Sequence, residues 1–521
     1  MIDKHYDVVV LGRSLGALVA AAVLSRRDFR VLVLGHGARP PSYRWGRHVF
    51  RRAAFTMLFA SSPPWKRVLA ELAQSQTFRR RAVPLDPMVQ VFLRDRRIEF
   101  PPDVKLFERE IEREFPEVRR VIDELYVELA RVNAAVDAAF ERDAVWPPGT
   151  FWERRETGRL VASLPFARAE TTFDLLGDLP GAHPYRALTA QLIRFASHLA
   201  DPPPPLAQAR LHGSWSRGVH ALPRGEDELS EFLLERIEAH GGTCRLSERA
   251  SRIYVGRGGV SGVLIDGEAS PTGADFVVSD GNGERLAELS QGEGILKRAE
   301  REWPAVTPAQ TRFVTSILVR SEGLPEPVGR EVVIVPANDR DVALHLVRMD
   351  PACELDASAD ARSESLLVAE TLVPAARNRE PLDGIGRERV LQTLRGAFPF
   401  IDRHLIAVDS PHDGRPLWLA EGGATGTAMK HVERVQLQGA SAIPEPMAVQ
   451  WRVEGHVPVP LAGEPVRGPI GRTLLVGSSV LPALGQEGEL LSAWSAVRVI
   501  TSADGQKERI RRAMWNKVDL G

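Results

Sequence analysis

The hydrophobic pattern of the first forty residues predicts one strand–helix–strand unit. Val8–Leu11 is a short, continuous apolar run rich in β-branched residues, as expected of a strand buried on both faces. Leu15–Leu24 is rich in alanine and leucine, both good helix formers. Residues 30–34 form a second apolar run. Because parallel strands need a crossover connection, the three segments together predict a βαβ unit.

Two further regions follow, the first helical and the second rich in strands. Residues 104–143 have a helical period with many glutamate and arginine pairs, and a second helical stretch lies near 185–199. The proline run at 201–205 is predicted to end this block as a stiff linker. A helix is predicted at 227–240. A strand pair is predicted over 251–266 and another strand at 274–279. The alternating apolar runs that follow indicate a mostly antiparallel sheet, at 312–319, 332–335, 342–347 and 366–373, and a further strand is predicted at 449–453.

Composition narrows the class of protein. The chain has 521 residues, 44% hydrophobic and 26% charged, with a formal net charge of -1, which argues against a nucleic-acid-binding protein. With only Cys244 and Cys353, a disulfide framework and a cysteine zinc site are excluded, and the histidines show no metal-binding spacing, so no metal is expected. No apolar run is long enough to span a bilayer. We therefore expect a soluble cytoplasmic protein.

The turn after the first strand has the spacing of a dinucleotide fingerprint. In G-x-G-x-x-G/A the backbone approaches a pyrophosphate at a helix N-terminus. Gly12, Ser14 and Ala17 occupy the three positions here, with Gly16 in addition, so a serine replaces the second glycine. The acidic residue that holds the adenosine ribose, about 20 residues on, is replaced by Gly35, followed by His36 in the sequence.

Two other interpretations of this turn remain open. One is a βαβ unit that has kept its fold and lost its ligand. The other comes from residues 12–16, which match G-x-S-x-G, the nucleophile elbow of α/β-hydrolases, and would make Ser14 a nucleophile. An elbow needs an oxyanion N–H from the loop of an earlier strand, and none precedes the strand Val8–Leu11, which disfavours the hydrolase.

Residues 44–81 form a basic segment interrupted by aromatic and aliphatic residues. Basic residues that flank an apolar helix can bind an anionic membrane surface, so peripheral membrane association through 44–81 is one hypothesis. The other is a buried helix with solvated ends.

Three segments of the chain resemble the flavin-dependent amine-oxidase and phytoene-desaturase superfamily, most closely its carotenoid-desaturase and retinol-saturase branch. They are the N-terminal run, the stretch Gly218–Pro223 with the helix and strands after it, and the C-terminal VGSSVLPALGQEGELLSAW. The three pieces occur in the family's order and at its separations. The family's Gly-Gly-Arg segment is not legible after the second strand, and Ser478 and Ser479 replace other residues in the last turn.

The resemblance implies an α/β fold with a Rossmann-like FAD-binding domain of discontinuous segments (1–80, 210–300 and 455–510). A substrate domain of helices and a mostly antiparallel sheet would comprise 85–210 and 300–455. The implied cofactor is FAD. The residues that the resemblance places at it are Gly12, Ser14, Gly16, Ala17, Gly35, His36, Ala250, Gly477, Ser478, Pro482, Gly485 and Gly488.

The implied activity is hydride transfer between an apolar substrate, such as a polyene, a retinoid or another lipid, and the flavin. Because the cofactor carries the chemistry, no catalytic side chain is implied. Two alternatives stand beside it. The same fold serves escort and GDP-dissociation-inhibitor proteins, which bind a lipidated partner without redox chemistry. The second alternative is a nicotinamide dehydrogenase, in which Arg39 would face a 2′-phosphate.

Overall fold

The structure is a computed structural model of the whole chain. It describes residues 4–167, 173–338, 341–350, 363–375, 386–420, 429–455 and 457–504. Cys353 lies outside the described residues.

The described strands are numbered in chain order: β1 His5–Leu11, β2 Val31–Leu34, β3 Ser42–Trp45, β4 His48–Arg51, β5 Val83–Pro84, β6 Val89–Phe92, β7 Arg97–Phe100, β8 His220–Ala221, β9 Thr243–Arg245, β10 Ala250–Gly256, β11 Gly259–Ile265, β12 Thr272–Ser279, β13 Ala305–Arg320, β14 Glu331–Ile334, β15 Leu344–Met349, β16 Glu364–Pro374, β17 Leu405–Asp409, β18 Leu417–Ala420, β19 Met429–Val432, β20 Ala448–Glu454 and β21 Thr473–Leu475.

The described α-helices are α1 Leu15–Arg26, α2 Pro63–Glu71, α3 Ser75–Arg81, α4 Val104–Glu114, α5 Arg119–Phe140, α6 Phe151–Ala162, α7 Pro184–Ala196, α8 Pro205–Ser214, α9 Glu226–Ala239, α10 Gly283–Leu289, α11 Lys297–Glu302, α12 Arg387–Ala397, α13 Ile401–His404 and α14 Gln486–Ala503.

The first sheet confirms the predicted βαβ unit and assembles it from distant parts of the chain. Its order is β10-β11-β12-β1-β2-β9, and β21 also pairs with β12. The pairs of β1 with β2 and β12, and of β12 with β21, are parallel. Leu11 is in register with Ser279, and Ser279 with Leu475. The carboxyl ends of β1, β12 and β21 therefore lie at one edge of the sheet, where a ligand of such a fold is expected.

The second sheet contains ten of the described strands in the order β19-β18-β17-β13-β16-β15-β14-β6-β7, with β20 paired to β13. Except for the parallel pair β14–β6, its neighbours are antiparallel, as predicted. Strands β6 and β7 were not predicted: they precede the helical block and extend the sheet. Each has only four residues, which is too short for a clear alternation of apolar and polar positions.

The helical block continues beyond the proline run that was predicted to end it. Pro205 begins α8, since a proline in the first turn of a helix loses no helical hydrogen bond. Helix α8 packs on α5 and α7. The prediction of a terminating linker at 201–205 was therefore wrong.

The apolar side chains of the basic segment 44–81 face the protein interior. Phe50, Met57, Phe59 and Trp65 are each at most 1% exposed, and Trp65 makes edge-to-face contacts with Phe59 and Phe78. The aromatic rings of this segment therefore lie in the core, as the hypothesis of a buried helix with solvated ends expects. Among the described helices, none combines the length and the apolar composition needed to cross a bilayer.

Candidate functional site

Asp280 occupies the glycine turn that follows β1. It comes directly after β12, the parallel neighbour of β1, so the sheet places its half-buried carboxylate beside the turn. The Ser14 backbone N–H donates to Asp280 Oδ2 over 2.9 Å. Gly12 has φ +107°, and a Cβ on it would lie 1.9 Å from Asp280 Oδ1. Position 12 therefore requires a glycine, because any side chain there would overlap the Asp280 carboxylate.

The same carboxylate carries an unfavourable charge at this position. Burial raises the pKa of Asp280, hydrogen bonds from Ser14 and the Arg13 backbone oppose the shift, and the neighbouring carboxylate of Glu489 adds to it. N–H groups at a helix N-terminus bind anions, and Asp280 is the anion that they bind here. A phosphate group cannot share this place with an ionised carboxylate.

The C-terminal glycine turn meets the N-terminal one at this residue. A Cβ on Gly477 would lie 2.1 Å from the carbonyl oxygen of Asp280, and a Cβ on Gly16 would lie 2.0 Å from that of Val476. Ala17 is fully buried in the first turn of α1. The two glycine turns therefore meet, and each packs directly on Asp280 or on the other turn.

The remaining C-terminal positions are explained by contacts within the protein. Gly485 has φ +57° and approaches the carbonyl oxygen of Ala196, which a Cβ would meet at 1.9 Å. Gly488 approaches the carbonyl oxygen of Leu481 in the same way, at 2.2 Å. Ser478 Oγ accepts a hydrogen bond from Trp451 Nε1 at 3.0 Å. The Pro482 carbonyl accepts from the backbone N–H of His198 at 2.9 Å.

Glu489, in the first turn of α14, fills another part of the same region. Its Oε2 accepts a long hydrogen bond of 3.4 Å from the Gly16 backbone N–H. Its Oε1 lies 3.0 Å from His198 Nε2. A second carboxylate therefore faces the first turn of α1, where a dinucleotide-binding turn normally presents free N–H groups.

His36 accepts a hydrogen bond from the backbone of Ala250, the residue that the resemblance places at the adenine of the cofactor. The Ala250 N–H donates to His36 Nδ1 over 3.2 Å, and His36 has φ +50°. Burial lowers the pKa of His36, and Arg285 and Arg249 lower it further. Gly35 leaves no room for the ribose-binding acid, because a Cβ there would lie 1.8 Å from the Leu246 carbonyl oxygen.

Three groups that a dinucleotide-binding fold offers to its ligand are altered here. The Asp280 carboxylate accepts the Ser14 N–H, His36 accepts the Ala250 N–H, and Gly35 stands where the ribose-binding acid is expected. Gly12, Gly16 and Gly477 meet at the edge of the first sheet, whereas Pro482 and Gly485 contact the C-terminal end of α7.

Ser14 has a structural role in the turn. Its hydroxyl oxygen accepts from the Ala17 N–H at 3.3 Å and caps the N-terminus of α1. A serine nucleophile needs a neighbouring base. Among the described residues, the hydrogen-bond partners of Ser14 are Ala17, Leu18 and Asp280, and none of them is a histidine. The geometry gives no support to the hydrolase alternative.

A buried polar network lies between the second sheet and the helical block. His345 Nδ1 is 2.9 Å from Glu370 Oε1, and its Nε2 is 3.1 Å from Glu331 Oε2. Thr56 Oγ1 donates to Glu331, and Arg312 pairs with Glu370 at 2.7 Å. Burial alone would lower the pKa of His345, but the two carboxylates outweigh it and raise the pKa to about 9. The imidazole is therefore charged at neutral pH.

An apolar groove of about 660 Å³ runs along α5. One wall is α5 itself, where the exposed Ala130 and Ala134 leave room. The opposite wall includes Phe100 and Phe107. Its size falls in the range of small-molecule sites, which are mostly apolar with a few polar groups. The inner end is polar and carries Arg217 together with Asn133 and Asp137.

Sequence reasoning missed Asp280, Glu489 and His198. Asp280 directly follows the predicted strand at 274–279, and the parallel pairing of that strand with β1 brings the acid to the same sheet edge as Gly12. The pairing of Glu489 with His198 joins residues 291 apart in sequence and leaves no local signal. Among the described residues, no cluster of three or more histidine, cysteine, aspartate or glutamate side chains could hold a metal ion.

Comparison with known proteins supports the fold. The family described as an NAD(P)-binding Rossmann-like domain matches residues 10–72. No curated protein matches the chain at a significant level.

Similar solved structures cover nearly the whole chain. An oxidoreductase from Methanosarcina mazei aligns with a TM-score of 0.58 at 15% identity, covering 94% of this chain and 99% of that one. A putrescine oxidase variant with redesigned cofactor binding gives 0.54 at 11%, covering 96% and 99%. Cyclohexylamine oxidase from Brevibacterium oxydans gives 0.52 at 12%, covering 98% and 100%. At these identities the likeness establishes the fold, which is that of the amine-oxidase type, and the named neighbours are oxidoreductases.

Proposed function

We propose that this protein is an FAD-dependent oxidoreductase that acts by hydride transfer on an apolar substrate such as a polyene, a retinoid or another lipid. The observation that carries the proposal is the meeting of Gly12 and Gly477 at one sheet edge, 465 positions apart in the numbering. Such convergence of the first and last segments is what a cofactor bound at the carboxyl ends of parallel strands requires. The amine-oxidase type of fold supports the same class of activity.

The groove along α5 supports an apolar substrate. At its inner end Arg217 contacts Asp137 at 3.2 Å, and Arg210 Nη2 lies 2.6 Å from both Asp137 and Glu487. Two guanidinium and two carboxylate groups leave this end neutral, so it favours an uncharged polar group on the ligand. Glu487 lies in the first turn of α14, just after Gly485, which connects the groove to the C-terminal turn.

Arg217 also offers a specific contact for the polar end of such a molecule. Its Nε is buried, and no hydrogen-bond partner for that atom is found within the described part of the chain. A buried donor without a partner costs free energy that a ligand acceptor would recover. We therefore expect a mainly apolar, uncharged substrate that carries a carbonyl or hydroxyl oxygen.

A second candidate function is a non-catalytic protein of the same fold that binds a lipid or a lipidated partner. The closed turn favours it, because Asp280 and His36 already satisfy the groups that a dinucleotide would contact. In this case the groove would serve binding alone, with no redox step.

The visible spectrum of the purified protein separates the two functions. The flavoenzyme should show flavin absorbance that is released on denaturation, or its melting temperature should rise when FAD is added, because a ligand that binds the folded state stabilises it by mass action. If repeated preparations are colourless and FAD leaves the melting temperature unchanged, the binding-protein function replaces the flavoenzyme.

A further inference from the structure

We propose that the outer face of α6 docks on the surface of a bilayer that contains anionic phospholipid. The four exposed residues that define this outer face are Phe151, Trp152, Arg155 and Arg159. The face lies outside the basic segment 44–81, and the inference does not depend on the proposed redox function.

Contacts on the opposite side of α6 fix its rotation about the helix axis. Glu153 accepts the Thr150 backbone N–H at 2.8 Å and pairs with Arg467 at 2.6 Å. Thr157 is fully buried, and its hydroxyl donates to the Val145 carbonyl oxygen at 2.9 Å. Residues four apart lie on one face of a helix, so these contacts hold that face against the protein. The outer face is therefore held toward solvent.

The start of the outer face is one exposed aromatic patch. Phe151 and Trp152 are 72% and 69% exposed, and their ring centres lie 5.4 Å apart in an edge-to-face arrangement. The guanidinium of Arg155 lies 5.9 Å from the centre of the Trp152 ring and adjoins the patch. Two neighbouring rings held in water forgo the free energy that burial would give, and a docking surface recovers it.

The charge of the outer face is positive. Arg155 and Arg159 are about one turn apart, and among the ion pairs of the described residues none involves either of them. The acids of α6 are directed elsewhere, since Glu153 faces inward and Glu156 lies 3.4 Å from Arg498. The outer face therefore complements a surface that carries negative charge.

An anionic bilayer fits this face better than a second protein does. Aromatic side chains beside arginines are typical of helices that lie in the membrane interface, where the rings enter the headgroup boundary and the arginines meet lipid phosphates. A stable protein interface needs about 800 Å² on each partner, from about 20–30 residues. Four large side chains on one short helix are too few for such an interface.

Two double variants separate the apolar from the electrostatic contribution. Phe151→Ser/Trp152→Ser removes both rings and keeps the charges. Arg155→Gln/Arg159→Gln removes both charges and keeps the rings. Because all four side chains are exposed, we expect the melting temperature of each double variant to equal that of the wild type.

The matched control lies elsewhere on the protein. Phe400 is 62% exposed, and the Arg403 guanidinium lies 5.9 Å from its ring centre. Phe400→Ser/Arg403→Gln therefore removes an exposed aromatic residue and an arginine beside it without changing α6.

The experiment is flotation of the full chain with phosphatidylcholine vesicles, with and without about one third phosphatidylglycerol, at about 0.05 M and about 0.5 M NaCl. We expect the wild type to float with the anionic vesicles at low salt and to be released at high salt. The partition coefficient should fall about tenfold in the aromatic variant. The arginine variant should lose the preference for anionic vesicles, and the control should bind like the wild type.

Three results would overturn the proposal. The first is a wild type that does not float with anionic vesicles at low salt. The second is a control variant that loses as much binding as the aromatic variant. The third is self-association of the wild type in sedimentation that the aromatic variant lacks, without flotation of either protein, which would make the outer face an interface between copies of the chain.

Discussion

The carboxylate of Asp280 caps the glycine turn at Gly12, 268 positions away in the numbering, and accepts the Ser14 N–H of the same turn. This contact explains why the turn keeps its first glycine although the fingerprint is otherwise degraded. It also provides the most direct means of testing the site by mutation.

We expect Asp280→Asn to increase the free energy of unfolding at neutral pH. Because burial raises the pKa of Asp280 above its unfolded value of 3.8, the ionised form is disfavoured in the folded protein. The wild-type protein therefore loses stability as the pH rises from 3.8 through the raised folded value, and the asparagine variant does not. Urea denaturation of both proteins, from acid to neutral pH, measures the difference, which should shrink as the pH falls.

Gly12→Ala should destabilise the protein by about 1–3 kcal/mol or more, since φ is +107° and the new Cβ meets Asp280. Part of this loss should disappear in an Asp280→Ala background, because the clash is with the side chain. Gly477→Ala should cost a similar amount in both backgrounds, because its clash is with the Asp280 carbonyl. Chemical denaturation of the single and double variants gives the coupling energies. Equal coupling for the two glycines would contradict the close approach of the Asp280 side chain.

The His345 network should make stability depend on pH in the alkaline range. The folded pKa is about 9 against an ordinary value of 6.5. The stabilisation from the charged imidazole is therefore complete below 6.5 and is lost as the pH rises through about 9. His345→Gln should be less stable than the wild type near neutral pH, and the gap should close toward about pH 10. Urea denaturation across this range tests the sign, and a gap that widens with pH would contradict it.

Filling the groove along α5 should weaken binding of an uncharged apolar dye such as Nile red. Ala130→Trp places a large side chain in the groove, because Ala130 is an exposed residue of its lining. Ala138→Trp is the matched control, since Ala138 is exposed on the same helix and does not line the groove. We expect roughly tenfold weaker dye binding for the first variant only, about 1.4 kcal/mol, measured by fluorescence titration. Equal affinity in both variants would place the dye elsewhere.

Local sequence was sufficient for the first unit of the fold. A continuous apolar strand, an alanine-rich helix and a second apolar strand have one compact arrangement, so β1, α1 and β2 were predicted within two or three residues of their bounds. The hydrophobic pattern likewise predicted five of the ten described strands of the second sheet, namely β13, β14, β15, β16 and β20. Strands β6, β7, β17, β18 and β19 were missed because four or five residues carry too little pattern. Strand β6 pairs with β14, about 240 residues further along the chain, and β7 joins the sheet through β6.

The state of the candidate site was decided by the tertiary structure. The sequence determined that the turn after β1 has Ser14 in place of a glycine and that Gly35 replaces the acid at the end of β2. It could not determine what stands in their place, because side-chain contacts between distant segments depend on how the strands are ordered in the sheet. That order sets Asp280 against Gly12, and the backbone path after β2 directs His36 to the Ala250 N–H. Sequence alone thus determined the units of the fold, and packing between them decided which groups occupy the site.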